Sequence, residues 1–231
     1  MPQGSRGFYD MAWARKGKCN TVACTNPSLR WCKWMGIAII CIAILLTMHI
    51  GIAYRTTMER PPAEQMARTA LTLFKPVYPA LAKQIVQDTG ITRGICIELG
   101  CGAGSLAIEL AKLTQLKIYA LDIDPQAVRI AQEQIVKNRL GERVYAMWGD
   151  ACNLPFRDSF ADLIISRGMI PFINDKAKVF REAWRVLKPN GAAYIGGGFS
   201  RLLSEKQVQS IVSKTIWQHR DRLPIFQTSR A

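Results

Sequence analysis

Three carboxylates and three glycines stand at spacings that could do chemistry. Glu98 is followed by Gly100, Gly102 and Gly104; Asp122 comes twenty positions after Gly102, and Asp150 follows later. Glycines admit positive φ and carry no β-carbon, so a ligand can lie against their backbone. A carboxylate at Asp122 can accept two ribose hydroxyls at once. Gly102, Gly104 and Ala107 also satisfy G-x-G-x-x-G/A, with Asp122 as the ribose acid, which would suit a dinucleotide and an NAD(P)-dependent oxidoreductase. Glu98 weighs against that reading: an acid beside a pyrophosphate is repulsive, whereas an acid beside a cationic ligand is useful. Other chemistries find little support. The seven cysteines (Cys19, Cys24, Cys32, Cys41, Cys96, Cys101, Cys152) form no C-x-x-C pair, and the two histidines are His49 and His219, so neither a metal site nor a histidine-activated nucleophile is expected.

A scaffold must hold these groups together, and the flanking pattern supplies one. The apolar run Ile95, Cys96, Ile97 reads as a buried strand over 94–98 ending at Glu98, and Leu106, Ile108, Leu110 and Leu113 repeat at helical spacing after the glycines. A helix starting there offers unpaired N–H groups and a partial positive charge. Strands follow at 117–125, where two acids close the strand, and at 143–148, 159–168 and 192–199, separated by helices at 125–139 and 175–187, and a last helix covers 202–218. Asp124 and Pro125 form an N-cap and first helical residue, and Gly141 lies past the helix end. Five strands alternating with helices predict a Rossmann-like, mostly parallel sheet covered on both faces. Ahead of it, residues 63–88 read as helix in two pieces interrupted at Pro76 and Pro79.

Four segments in order, ELGCGAG, LDID, GDA-x-x-LPF and RVLKPNG, spanning about residues 68–200, resemble the class I S-adenosylmethionine-dependent methyltransferases. The resemblance implies S-adenosyl-L-methionine as cofactor. Glu98 would then face its amino acid end, with Gly100, Gly102 and Gly104 as the cradle. Asp122 would hold the ribose and Ile123 flank the adenine. Asp150 would accept from the adenine amino group and the Ala151 N–H donate to the ring. Ser166 would stand beside the methionine end, with Arg167 as a substrate-side group for an anionic acceptor. Tyr78 would belong to a lid helix, more as packing than as a contact. The implied reaction is in-line attack on the methyl carbon by an O, N, S or C nucleophile, where alignment contributes much of the acceleration and no dedicated base is required. The family varies in acceptor, so the acceptor does not follow from it.

The remaining segments are less regular. The net charge is +14, but residues 1–60 carry 8 basic and 2 acidic side chains, and the body 61–200 carries 17 and 13, so a nucleic-acid partner is not argued for. Residues 1–33 are basic and read as disordered; 34–54 contain no charge and predict one transmembrane helix of about 31 Å. A single-pass anchor with a cytoplasmic catalytic domain is expected, or a soluble cytoplasmic chain if translation begins at Met58 or Met66; the anchor raises the chance of a lipid-like acceptor such as a prenylated quinone. Residues 55–62 read as a linker, 63–218 as the methyltransferase domain and 219–231 as a short basic tail. The tail is too short for the two C-terminal strands of the family. The strand edge at 192–197 is therefore expected to be open to self-association, and a tethered binding module without turnover becomes an alternative.

Overall fold

A computed structural model describes residues 12–15 and 60–218. Its sheet contains β1 (Ala12–Arg15), β2 (Arg93–Leu99), β3 (Gln115–Asp122), β4 (Val144–Trp148), β5 (Ala161–Arg167) and β6 (Leu187–Gly196) in the order β1-β6-β5-β2-β3-β4. β2 to β6 run parallel, the five strands the sequence predicts, and β1 lies antiparallel on β6. The helices are α1 (Ala63–Leu71), α2 (Val77–Thr89), α3 (Ser105–Leu113), α4 (Pro125–Lys137), α5 (Lys176–Val186) and α6 (Glu205–Gln218).

Parallel strands are covered on both faces, and the side chains of β2 and β5 sort accordingly. Cys96, Leu163 and Ile165 pack with Leu81 and Ile85 of α2, Leu106 and Leu110 of α3 and Ile135 of α4. Ile97, Leu99 and Ile164 face the other way, toward Val179, Ala183 and Val186 of α5. Local signals fix the helix ends. Asp124 and Asp175 each accept a backbone N–H, from Gln126 at 2.9 Å and Lys178 at 2.8 Å, and α2 ends at Gly90 in the left-handed region.

Arg185 of α5 donates to the carbonyls of Leu154 and Phe156 and to Asp158, while Glu182 accepts from the Leu154 N–H at 2.8 Å. The RVLKPNG and LPF segments are therefore two halves of one brace. It holds the loop that begins at Asp150.

Four expectations change. Pro79 does not interrupt the second helix; it lies in the first turn of α2, where no intrahelical N–H is needed. β6 begins at Leu187, earlier than Ala192, because Asn190 takes φ 66° and the ladder slips between its Leu187 and Ala192 pairings. Within 1–33, residues 12–15 are strand rather than disordered. For the same reason the 192–197 edge is not open: Ala12 pairs with Ile195, Trp13 with Tyr194, Ala14 with Ala193 and Arg15 with Ala192. An N-terminal strand supplies the ladder partners that were sought after the last helix. Residues 34–54 and 219–231 lie outside the described residues, and among those described no helix is long and apolar enough to cross a membrane.

Candidate active site

The site lies at the carboxyl ends of β2, β3 and β5. The chain leaves β2 through Gly100 (φ 68°) and Gly102 (φ 53°), conformations in which a β-carbon is strained. A β-carbon on Gly102 would meet nothing within 4 Å, so its open side is ligand space; one on Gly100 would meet Met169 at 2.8 Å. Gly104 differs. Its φ of 70° forms the N-cap of α3, and its missing β-carbon lets Ala131 of α4 come close, at 3.3 Å from where one would stand. It lines neither cavity and packs helices rather than cradling a ligand.

Two adjoining cavities open on this loop. One, about 190 Å3, is lined by Asp122, Ile123, Asp150, Ala151, Phe172 and Arg60 among others. The other, about 230 Å3, is lined by Glu98, Tyr78, Phe74, Ala70 and Thr215. Gly100, Gly102, Arg167, Gly168 and Met66 belong to both walls, so the two cavities abut at the glycine loop and together make up the site channel.

The acids are held at fixed distances. Asp122 is buried; its Oδ2 accepts from the Gly102 N–H at 2.9 Å and its Oδ1 from the Asp124 N–H at 3.0 Å. Glu98 is buried and accepts from the Ala107 N–H in the first turn of α3 at 3.1 Å. Burial pushes its carboxyl up to about 8; the Ala107 N–H opposes this and the nearby Asp122 charge adds to it. Such a carboxyl gains most from a neighbouring cation. Burial also raises the Tyr78 hydroxyl, the Arg167 charge opposing and Glu98 reinforcing.

The expected residues divide into those in the channel and those behind it. Glu98, Gly100, Gly102, Asp122, Ile123, Asp150, Ala151, Arg167 and Tyr78 line it. Asp150 also holds its own turn, accepting the Cys152 N–H at 2.8 Å through Oδ1. Ser166 does not reach the channel: it is fully buried, and its hydroxyl donates to the Leu99 carbonyl at 2.8 Å, tying β5 to β2 behind the loop. Arg60 is a residue that sequence reasoning missed. Its guanidinium reaches Asp122 at 2.9 Å and Asp124 at 3.4 Å, so Arg60 and Pro61 form part of the site wall. No spacing signalled it. Thr215, which brings α6 to the channel, and Phe74, in the break between α1 and α2, were equally silent.

A glycine loop between acids on adjacent parallel strands, beside a channel with aromatic walls, defines an α/β domain that binds a nucleotide-type cofactor. The methyltransferase domain family matches residues 97–195. A crystal structure from Methanococcus maripaludis, assigned to the S-adenosyl-L-methionine-dependent methyltransferases, is 38% identical with a TM-score of 0.66, covering 71% of this chain and 77% of that one. Demethylmenaquinone methyltransferase of Lactiplantibacillus plantarum is 32% identical over 124 residues, 53% of this chain and 49% of its own length. Norajmaline N-methyltransferase of Rauvolfia serpentina is 32% identical over 99 residues, 43% and 34% respectively. This chain thus spans about half or less of the length of these curated relatives. It belongs to the class I S-adenosyl-L-methionine-dependent methyltransferases, and S-adenosyl-L-methionine is its cofactor. The residues present fit that group: open space over Gly102, a buried carboxylate at Asp122 of the kind that accepts ribose hydroxyls, and a raised carboxyl at Glu98 that favours a cation.

Proposed function

We infer that the chain transfers a methyl group from S-adenosyl-L-methionine to a small-molecule acceptor. The observation that carries this is the adjacency of the two cavities at Gly100, Gly102 and Arg167, one beside Asp122 and the other beside Glu98 and the aromatic residues. The cofactor supplies a methyl group on a sulfonium, open to in-line attack. The protein's own part is to orient and to exclude water. Asp122 fixes one end, the raised carboxyl of Glu98 favours a cationic end, and Phe74, Ala70 and Met66 keep the acceptor side apolar. A lipid-like acceptor is compatible with those walls, but the two curated relatives named above carry names of very different acceptors, so theirs are not transferred. The reading places the domain in the cytoplasm, which supplies the cofactor.

Calorimetric titration with S-adenosyl-L-methionine tests it, followed by a methyl-transfer screen with labelled cofactor. Asp122→Ala should weaken cofactor binding by about 1.5–3 kcal/mol, since a charge-assisted pair of hydrogen bonds is lost. A wild-type chain that does not bind the cofactor, or unchanged affinity in the variant, would overturn the assignment of this site.

A further inference from the structure

Arg167 has surroundings that neither a solvent arginine nor a structural ion pair explains. It ends β5 and lines both cavities. Its guanidinium carbon lies 4.3 Å from the ring centroid of Phe74 and 5.7 Å from that of Tyr78. Its Nε is buried and has no hydrogen-bond partner, and among the described residues it makes no ion pair. Phe74 is in turn stacked on Phe199, with centroids 6.1 Å apart, so the platform under the guanidinium is itself supported.

These facts point one way. Aromatic faces hold a guanidinium by cation–π attraction; Arg167 also hydrogen-bonds the Tyr78 hydroxyl, while its Nε–H has no acceptor among the described residues. A buried N–H without an acceptor is unfavourable, and a planar fork of donors matches a carboxylate better than any neutral group. Among the described residues Arg167 is also the one cation in the wall of the Glu98 cavity. We propose that Arg167, seated on Phe74 and Tyr78, recognises a carboxylate on the methyl acceptor, so that the acceptor class is a small organic acid with an apolar body. This rests on the methyltransferase reading above and narrows its acceptor. An acid there also neutralises a positive charge that would otherwise lie in the same channel as a sulfonium. Arg167 acts here in binding and orientation; the attacking atom is another group on the same acid.

The test uses the full chain saturated with S-adenosylhomocysteine and three acid and amide pairs as probes: benzoate and benzamide, phenylacetate and phenylacetamide, hexanoate and hexanamide. Calorimetry reads the ratio of acid to amide affinity in each pair. The wild type should prefer at least one acid by tenfold or more. Arg167→Gln should bring that ratio to within twofold of unity, and Arg167→Lys, which keeps the charge without the fork, should fall between. The ratio is internal to each protein, so a change in cofactor affinity does not mimic the effect. Thermal melts with S-adenosylhomocysteine show that each variant is folded and loaded. No preference for any acid in the wild type, or a preference that survives Arg167→Gln, overturns the proposal. Failure of the wild type to bind S-adenosylhomocysteine at all would instead count against the methyltransferase reading.

Discussion

At the scale of single residues, Glu98 links stability to ligand binding. Burial holds its carboxyl up at about 8, so the folded, empty site keeps a proton that an unfolded glutamate, with a pKa near 4.3, has already released. A raised folded value contributes stability that is complete below the unfolded value and is lost as the pH rises through the folded one. The stability of the empty protein should therefore fall between about pH 5 and pH 8, by at most about 1.4 kcal/mol per pH unit, and its melting temperature with it. A cationic ligand reverses the preference, so cofactor affinity should rise over the same interval as the proton becomes easier to lose. In Glu98→Gln both trends should flatten. Melts and titrations from pH 5 to 9 on the two proteins measure this, and an equal pH dependence in both would show that Glu98 is not the responsive group. That Glu98, Asp122, Gly100 and Gly102 line the cavities could be read from sequence because each stands at or just past a strand end, where type and spacing fix position. Ser166 misled for a related reason. It is at a strand end too, but strand side chains alternate faces, and its own points toward the Leu99 carbonyl rather than into the channel.

At the scale of elements, the segment before α1 and the strand before it all bear on the site or the sheet. Arg60 pairs with Asp122, the acid proposed above to hold the ribose, and its side chain is 28% exposed against 6% for Asp122. Cofactor binding must compete with that pair. A partly exposed ion pair contributes on the order of 0.2–1 kcal/mol, so Arg60→Ala should tighten cofactor binding on the order of two- to fivefold, most visibly at low salt. Weaker binding in that variant would mean that Arg60 stays and contacts the cofactor. β1 makes a second case. A chain trimmed to 58–231 loses the four pairings on β6 and should expose Ala192, Ala193, Tyr194 and Ile195 on an edge. It should melt lower than the full chain and scatter light in proportion to concentration, while the full chain remains monomeric; equal behaviour would mean that β1 contributes nothing to the edge. The alternation of five strands and all six helices was legible from hydrophobic period and caps. β1 was not. Its four residues, AWAR, carry no strand signal of their own and gain structure only from the partner they find about 180 positions later.

At the scale of the whole molecule, the pairing of β1 with β6 decides a question of sides. Strands that exchange backbone hydrogen bonds share one compartment. Arg15 is bound to the sheet, and Arg60 is bound to Asp122 of the same domain. The uncharged stretch 34–54 stands between them in the chain. A single crossing of a bilayer would put Arg15 and Arg60 on opposite faces, which one sheet cannot satisfy. The β1–β6 pairing and a single crossing by 34–54 are therefore alternatives, and the compartments of the two chain ends distinguish them. An epitope tag placed before residue 1 and another after residue 231 should therefore be shielded or cleaved together when protease is added to intact cells. If one tag is digested and the other spared, the chain passes through the membrane once and β1 is not formed there. The domain's two flanks are, in this sense, a topological test of the stretch threaded between them.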